Sequence, residues 1–207
     1  MKTITCISRH RRLAAALLVL VGLSVLPTFG PNGSAQAAEN EASWSLCQAQ
    51  ARLMEQAAGM PDHLLSAIAR VESGRWHKDS GENFSWPWTV MAEGRGRYLP
   101  TKQAAVAEVE KLRARGVRNI DVGCMQINLI YHGEAFQSLA EAFDPMSNIA
   151  YAAAFLSDLK NEERSWTKAI GRYHSRHQRR GMEYRLKVLS AWREERRRAG
   201  QRHNAAF

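Results

Sequence analysis

The sequence predicts a single, mainly α-helical domain that contains a small β-hairpin, an α+β arrangement. Three observations support this fold class. Apolar residues recur at helical spacing along most of the chain, capping signals separate the helices, and one stretch near residues 86–99 breaks the pattern. The 207 residues are 45% hydrophobic and 24% charged, which excludes a disordered chain and allows one hydrophobic core.

Residues 1–37 are predicted to be a secretory signal peptide that is no part of the fold. Four basic residues precede an apolar run from Leu13 to Leu26, and Ala35-Gln36-Ala37 offers a cleavage site. The run has 14 residues, fewer than the roughly 18 to 20 that span a bilayer as a helix. The alternative is an uncleaved N-terminal anchor. We expect cleavage, no stable membrane anchor afterwards, and a periplasmic location.

The basic charge of the chain is unevenly distributed. The net charge is +9, with four basic and no acidic residues in the predicted signal. Residues 38–159 carry a net −4, whereas residues 160–207 carry a net +9. Such a basic block is typical of a solvated helix face or tail, and a surface that binds a polyanion is the alternative. Because the chain is predicted to be exported, we do not expect nucleic acid as the partner.

Two cysteines, Cys47 and Cys124, remain after removal of the signal. Export places them in an oxidising compartment, which favours a disulfide between them. A bond across so long a loop contributes about 3 to 4 kcal/mol to the free energy of unfolding. Two buried thiols are the alternative.

The first two helices are predicted from the spacing of apolar residues and from the residues that begin and end helices. Ser43 is predicted to cap a helix that ends at Gly59, and Pro61 to begin a second that ends at Gly74. Residues 82–100 break the helical pattern, and the stretches 86–91 and 98–99 flank Glu93-Gly94-Arg95-Gly96, which predicts a β-hairpin with a glycine turn near residues 86–99.

The remaining elements follow in order. A helix is predicted from Thr101 to Arg115, then an extended piece over residues 117–122. Asp144-Pro145 is a strong helix start, and Ser165 can cap the next helix. A last helix is expected to bury Met182, Leu186 and Leu189 and to end before a basic tail at residues 193–207. The folded domain is therefore predicted over residues 38–192.

Glu72 is the candidate catalytic residue. At 100° per residue its side chain points within about 40° of Ile68 and about 20° of Leu65, so it lies on the buried stripe of its helix. It also occupies the last turn, where the helix terminus carries partial negative charge. Burial and this charge both favour the protonated acid, as a general acid at neutral pH requires. The alternative is a carboxylate that reaches out to solvent or pairs with Arg70 or Arg75.

Four segments around and after Glu72 resemble a known enzyme family. Glu72-Ser73-Gly74-Arg75 is followed by the run Gly123-Cys124-Met125-Gln126-Ile127-Asn128, by Asp144-Pro145 with Asn148, and by a segment that contains Tyr173. This order resembles the lytic transglycosylases of the soluble-transglycosylase (SLT) type, over about residues 44–190. The resemblance implies a goose-lysozyme-like helical fold and cleavage of peptidoglycan.

The resemblance assigns roles residue by residue. Glu72 looks like the family's catalytic acid, and Ser73, Met125, Gln126, Asn128 and Tyr173 look like residues that bind the saccharide. Asn148 resembles a helix residue that steadies the fold near the site. The segment around Tyr173 departs from the family pattern, because His174 stands where Asn is usual and Arg176 where Gly is usual.

The implied reaction cleaves the β-1,4 bond between N-acetylmuramic acid (MurNAc) and N-acetylglucosamine and leaves a 1,6-anhydroMurNAc end. Glu72 would act first as acid and then as base. No second carboxylate stands at a convincing position, whereas ordinary glycoside hydrolysis uses two. Alternatives are a goose-type lysozyme that hydrolyses the same bond and a non-catalytic peptidoglycan-binding module of an envelope machine.

The expected partners are peptidoglycan glycan strands and, as small members of this family allow, a secretion, conjugation or flagellar apparatus. No cofactor is expected. His174 and His177 are three residues apart but have no accompanying Cys or acidic ligand set, so no metal site is predicted. Trp86 and Trp88 either stack on sugars or pack in the core. A basic rim can attract the wall's carboxylates or simply face solvent, and its members are Arg172, Arg176, Arg179 and Arg180.

Overall fold

The computed structural model describes residues 32–204, so the predicted apolar signal run Leu13–Leu26 lies outside the described residues. Within residues 32–204 the chain forms seven α-helices and six short strands, in keeping with the predicted mainly α fold. The helices are α1 (Asn32–Ala57), α2 (Leu64–Ser73), α3 (Lys102–Ala114), α4 (Leu139–Ala142), α5 (Pro145–Glu163), α6 (Trp166–His174) and α7 (Gln178–Asn204). The strands are β1 (Gly74–His77), β2 (Glu82–Ser85), β3 (Thr89–Ala92), β4 (Arg95–Tyr98), β5 (Ile120–Val122) and β6 (Ile127–Asn128).

The strands form two small antiparallel sheets. Strands β1 and β2 pair as a hairpin, and the second sheet has the order β4-β3-β5-β6. The β3–β4 hairpin is the predicted one, and its turn residues Glu93 and Gly94 both have positive φ, as a two-residue turn of this type requires. The β1–β2 hairpin was not predicted. It begins at Gly74, directly after the helix that carries Glu72.

Two hydrophobic clusters make up the core. One is helical and buries residues of α1, α2, α5, α6 and α7, including Leu65, Ile68 and Ile149. The other lies between the four-stranded sheet and helices α3 and α4, and is centred on Trp86 and Phe143. Helix α2 belongs to the first cluster, while the strands that follow it lead into the second. The end of α2 therefore lies where the helical and sheet parts of the domain meet.

Several predicted helix boundaries are present as expected. The Thr101 hydroxyl accepts a hydrogen bond from the Ala104 amide at the start of α3, and Asp144 Oδ1 accepts from the amides of Met146 and Ser147 at the start of α5. Ser165 precedes α6, although its side chain makes no capping hydrogen bond. The apolar residues Ile149, Ala153, Leu156 and Leu159 of α5 are buried.

The first helices differ from the prediction in their starts. Helix α1 begins at Asn32, so Ser43 is a buried residue inside the helix and not its cap. Helix α2 begins at Leu64, three residues after Pro61, because Glu55 of α1 supplies the acceptors for its first amides. Glu55 Oε1 accepts from Ser66 N at 2.9 Å and Oε2 from His63 N at 2.8 Å. A carboxylate from a neighbouring helix therefore caps α2.

The last helix differs in its length and in its buried face. Met182 and Leu186 are 49% and 61% exposed, whereas Tyr184 and Val188 are buried. The predicted tail at residues 193–207 continues α7 as far as Asn204. Glu195 is buried there because it accepts hydrogen bonds from Arg70 and from Gln48, both at 3.0 Å. These contacts hold the end of α7 against α1 and α2.

Cys47 of α1 and Cys124 form a disulfide with a Cα–Cα distance of 5.7 Å and a sequence separation of 77 residues. The bond attaches the segment between β5 and β6 to the helical cluster. Among residues 32–204, no helix is both long enough and apolar enough to cross a bilayer.

Candidate functional site

A cleft with a volume of about 380 Å³ opens at the end of α2. Glu72 lies in its wall together with side chains of the sheet, of the segment after β6 and of helices α5 and α6. The other residues that line it are Met91, Asp121, Gln126, Ile127, Asn128, Tyr131, His132, Phe155, Tyr173 and His174. Residues far apart in sequence thus surround one candidate acid.

The Glu72 carboxyl has one hydrogen-bond donor and no ion-pair partner among the described residues. The Tyr184 hydroxyl of α7 donates to Glu72 Oε1 at 2.5 Å. Burial raises the pKa of Glu72 to about 7, the Tyr184 hydrogen bond opposes this rise, and the nearby negative charge of Asp121 adds to it. Near neutral pH a large fraction of Glu72 therefore carries its proton.

The two arginines nearest to Glu72 in the sequence make their contacts elsewhere. Arg70 forms its ion pair with Glu195 at 3.0 Å. The Arg75 guanidinium lies over the rings of Trp86 and Trp44, 4.4 and 4.9 Å from their centroids. The alternative of a structural ion pair for Glu72 is thus not what the structure shows.

Asp121 is a second carboxylate in the cleft and was not predicted from the sequence. It lies on β5, and the Asn128 Nδ2 of β6 donates to its Oδ1 at 2.8 Å. Burial raises the pKa of Asp121, while this hydrogen bond and the nearby His174 lower it. The cleft therefore contains two acidic groups whose charges influence each other. Asp121 has no sequence signal of its own, because only the β3–β5 pairing brings it beside the end of α2.

The turn between β5 and β6 is shaped by a buried asparagine of α5. Asn148 Oδ1 accepts from Met125 N at 2.9 Å, and its Nδ2 donates to the carbonyls of Val122 and Ala142. Gly123 has a φ of +82°, and a Cβ there would collide with the Asn148 amide. Asn148 thus fixes this turn, in agreement with the steadying role that the resemblance implied.

Gln126 and Asn128 lie in the cleft wall, but their side-chain N–H groups donate hydrogen bonds to other groups of the protein. Gln126, with a φ of +47°, donates through Nε2 to the carbonyls of Thr89 and Gly123. Asn128 donates to Asp121 and Asn119, and its Oδ1 accepts from the amides of the following turn. Asn128 is therefore placed to orient Asp121, whereas the Gln126 carbonyl oxygen accepts nothing from the described residues.

Ser73 and Met125, which were predicted to line the groove, are instead fully buried. The Ser73 hydroxyl lies 2.8 Å from the Cys124 carbonyl oxygen and 3.0 Å from that of Ala69. The Met125 side chain belongs to the helical core. The two residues bind the end of α2 to the β5–β6 turn, since one supplies a hydrogen bond and the other apolar contact. Both residues pack behind the cleft wall and do not line the cleft.

Two tyrosines stand near Glu72, and only one was predicted. Tyr173 lines the cleft, and its hydroxyl donates to the Met125 carbonyl oxygen at 3.0 Å. The direct partner of Glu72 is Tyr184, whose ring stacks on His174 with centroids 4.5 Å apart. The spacing of Gly181, Tyr184 and Val188 is the helical signal that would have placed Tyr184 on the buried face of α7.

The structure distinguishes between the two alternatives for Trp86 and Trp88, sugar stacking and core packing. Trp86 is fully buried and Trp88 is 6% exposed, so both pack in the core and neither presents a face to a sugar. Within the described part of the chain, no three His, Cys, Asp or Glu side chains converge as a metal site would need.

The fold and the cleft together define a class: a helical, lysozyme-like domain that holds one partly protonated glutamic acid in an open groove. A family model described as the transglycosylase SLT domain matches residues 50–185, well over half of the chain, and this range includes Glu72, Asp121 and Tyr184. The chain belongs to the SLT transglycosylase family. No curated protein and no solved structure gives a significant match.

Proposed function

We propose that the protein is a peptidoglycan lytic transglycosylase that cleaves the β-1,4 bond between MurNAc and N-acetylglucosamine. The observation that carries the proposal is the state of Glu72. It lies in the cleft of an SLT family domain, receives one hydrogen bond, and has a pKa of about 7 because of burial. A carboxyl group of this kind can donate a proton at neutral pH and accept one later in the same reaction.

The proposed reaction uses Glu72 twice. The Glu72 carboxyl gives its proton to the glycosidic oxygen as the bond from that oxygen to C1 of MurNAc breaks. The carboxylate then takes the proton of the MurNAc C6 hydroxyl, and the C6 oxygen forms a bond to C1. The products are a free N-acetylglucosamine hydroxyl and a 1,6-anhydroMurNAc end, and Glu72 is protonated again. The reaction consumes no water molecule.

The positive charge that develops at C1 needs stabilisation. In the proposed reaction the substrate's own 2-acetamido group supplies it, with Asp121 as a negative charge in the same cleft. The Tyr184 hydroxyl holds Glu72 in place and stabilises its carboxylate form after the first proton transfer.

Asp121 also favours a second candidate function, hydrolysis of the same bond as in goose-type lysozymes. Hydrolases commonly use a second carboxylate as nucleophile or as base for a water molecule. Asp121 and Glu72 line one cleft, and the Asp121 charge raises the pKa of Glu72. The products separate the two candidates, because only hydrolysis adds water to the MurNAc end.

The location and the wider role are parts of the same proposal. A cleaved signal over residues 1–37 would deliver the domain to the periplasm, where the peptidoglycan lies. There it would act on glycan strands, either in general wall turnover or where a secretion, conjugation or flagellar apparatus crosses the wall.

The proposal is tested by release of soluble muropeptides from purified sacculi. We expect Glu72→Gln to reduce release by at least a thousandfold, because a carboxamide cannot transfer the proton. Glu110→Gln is the matched control, since Glu110 is an exposed carboxylate on α3. Activity retained in Glu72→Gln would remove Glu72 from the reaction. Binding of sacculi without release by the unaltered protein would instead indicate a non-catalytic wall-binding module.

A further inference from the structure

A second, smaller cavity of about 240 Å³ adjoins the cleft. Its walls share Glu72 and His174 with the cleft, and its other residues come from α7 and the end of α2. Ligand pockets that enclose a whole small molecule usually measure roughly 300 Å³ or more. The size of this cavity therefore suits a branch of a polymer whose main chain occupies the larger cleft.

The wall of this cavity contains two cations that have no ion-pair partner, beside the two acidic residues Glu72 and Glu183. Arg180 and Lys187 line it, seven residues apart on one face of α7. Neither forms an ion pair with any described residue. Of the two acidic residues of the cavity wall, Glu72 has a pKa of about 7 and Glu183 lies 3.7 Å from Arg179, with which it is paired. Two cations thus remain available to an anionic ligand beside Glu72.

The charges that act on His174 show how positive and negative groups are distributed around the site. The pKa of His174 is lowered by burial and by the charges of Lys187 and Arg180, and it is raised by Asp121. His174 therefore stands between the negative charge of the cleft and the positive charges of the smaller cavity. A ligand that spans both regions would place its neutral part near Asp121 and its anionic part near α7.

The basic rim expected from the sequence is accordingly divided by the structure. Arg172 and Arg176 line a separate groove between α6 and α7, and Arg172 lies 3.6 Å from Glu163. Arg179 faces Glu183. Of the four arginines in that rim, Arg180 alone lines the cavity next to Glu72, and Lys187, which the prediction omitted, joins it there.

We propose that Arg180 and Lys187 form a subsite for the free carboxylates of the stem peptide, which branches from MurNAc beyond its lactyl group. The inference rests on the proposed function. If Glu72 reaches the oxygen on C1 of MurNAc, the branch on C3 of the same ring begins two ring atoms away. The stem peptide on this branch carries free carboxylates, which match the unpaired cations of the cavity in charge. The subsite makes the enzyme selective for strands that retain their peptides.

Binding measurements on a cleavage-incompetent background test the subsite without relying on turnover. The Glu72→Gln protein is titrated by calorimetry with soluble glycan strands that carry their stem peptides and with the same strands stripped by an amidase. We expect the peptide-bearing strands to bind about tenfold more tightly, as two partly exposed charge pairs allow. Added Arg180→Met and Lys187→Met substitutions should reduce this preference to near one.

The matched control adds Lys168→Met and Arg176→Met, which remove the same charge from the separate groove. This control should keep the preference, and in the parent protein higher salt should weaken the preference. An equal preference with and without Arg180 and Lys187 would overturn the subsite. Loss of the preference in both pairs would also overturn it, because bulk charge would then explain the effect. Equal binding of peptide-bearing and stripped strands by the Glu72→Gln protein would overturn the subsite as well. None of these results depends on whether the unaltered protein cleaves its substrate, so failure of the proposed function is recognised separately.

Discussion

The Tyr184 hydroxyl donates a hydrogen bond of 2.5 Å to Glu72 Oε1 and so joins the second turn of α7 to the last turn of α2. Glu72 is otherwise without a charged partner among the described residues. Its protonation is therefore set by three influences: burial, this hydroxyl, and the charge of Asp121. The hydroxyl and the charge of Asp121 can each be removed by one substitution.

Removal of the hydroxyl should shift the pH profile upward. The hydrogen bond stabilises the Glu72 carboxylate, so Tyr184→Phe raises the pKa of Glu72 further. We expect the alkaline limb of kcat/KM, which should lie near pH 7 in the unaltered enzyme, to move to higher pH. A profile of kcat/KM against pH on soluble glycan strands measures this. Tyr98→Phe is the control, because that hydroxyl donates to the Gly74 carbonyl instead. An unmoved limb would mean that Tyr184 does not tune the acid.

Replacement of Asp121 should shift the same limb in the opposite direction. Asp121→Asn removes a negative charge that raises the pKa of Glu72, so the limb moves to lower pH. We also expect kcat to fall by about a hundredfold, because a charge facing the developing cation at C1 is lost. Steady-state kinetics with Asp158→Asn, an exposed acid on α5, as control measures both effects. An unchanged kcat would show that Asp121 does not face the reacting carbon.

Stability should depend on pH through Glu72. Its pKa is about 7 in the folded protein and about 4.5 as the ordinary value, so the folded state binds this proton more tightly between these limits. The stabilisation is fully present below about pH 4.5 and is lost as the pH rises through 7. Glu72→Gln, which carries no charge, should therefore be more stable than the unaltered protein at pH 8 by on the order of 3 kcal/mol.

Urea unfolding followed by circular dichroism at pH 4 and at pH 8 measures this difference. The gain should be confined to the higher pH, and Glu110→Gln should show no such gain. An equal gain for Glu72→Gln at both values would point to a packing effect instead of a titration.

The disulfide should contribute strongly to stability. Cys47 and Cys124 enclose a long loop and connect α1 to the turn that Asn148 shapes. Replacement of both by Ser should lower the free energy of unfolding by about 4 kcal/mol. Urea unfolding with and without a reductant provides the measurement, and the reductant should not affect the double variant. Equal midpoints for the oxidised and reduced protein would contradict the expectation.

Local signals predicted the elements that local interactions determine. Thr101 and Asp144 cap helices by bonding amides two or three residues away, and Glu93-Gly94 needs only its own backbone to turn. The family motifs identified Glu72 and the β5–β6 turn. Such features depend on a few neighbouring residues, so a sequence displays them directly.

The features that were missed depend on contacts between distant segments. Helix α2 is capped by Glu55 of another helix, and α7 extends past the predicted end of the domain, where Glu195 pairs with Arg70 of α2. Tyr184 reaches Glu72 across 112 residues of chain, and Asp121 enters the cleft through strand pairing. Ser73 and Met125 belong to the right motifs but point into the core, and sequence spacing alone does not give that direction.

The central claim is that Glu72 catalyses an intramolecular attack and not hydrolysis. Mass spectrometry of the muropeptides released from sacculi tests it most directly. The proposal predicts products with 1,6-anhydroMurNAc ends, each lighter by one water molecule than the hydrolysed species, and no such products from Glu72→Gln. Products with hydrated, reducible MurNAc ends would contradict it and would assign the cleft, with Asp121 as its second carboxylate, to lysozyme chemistry.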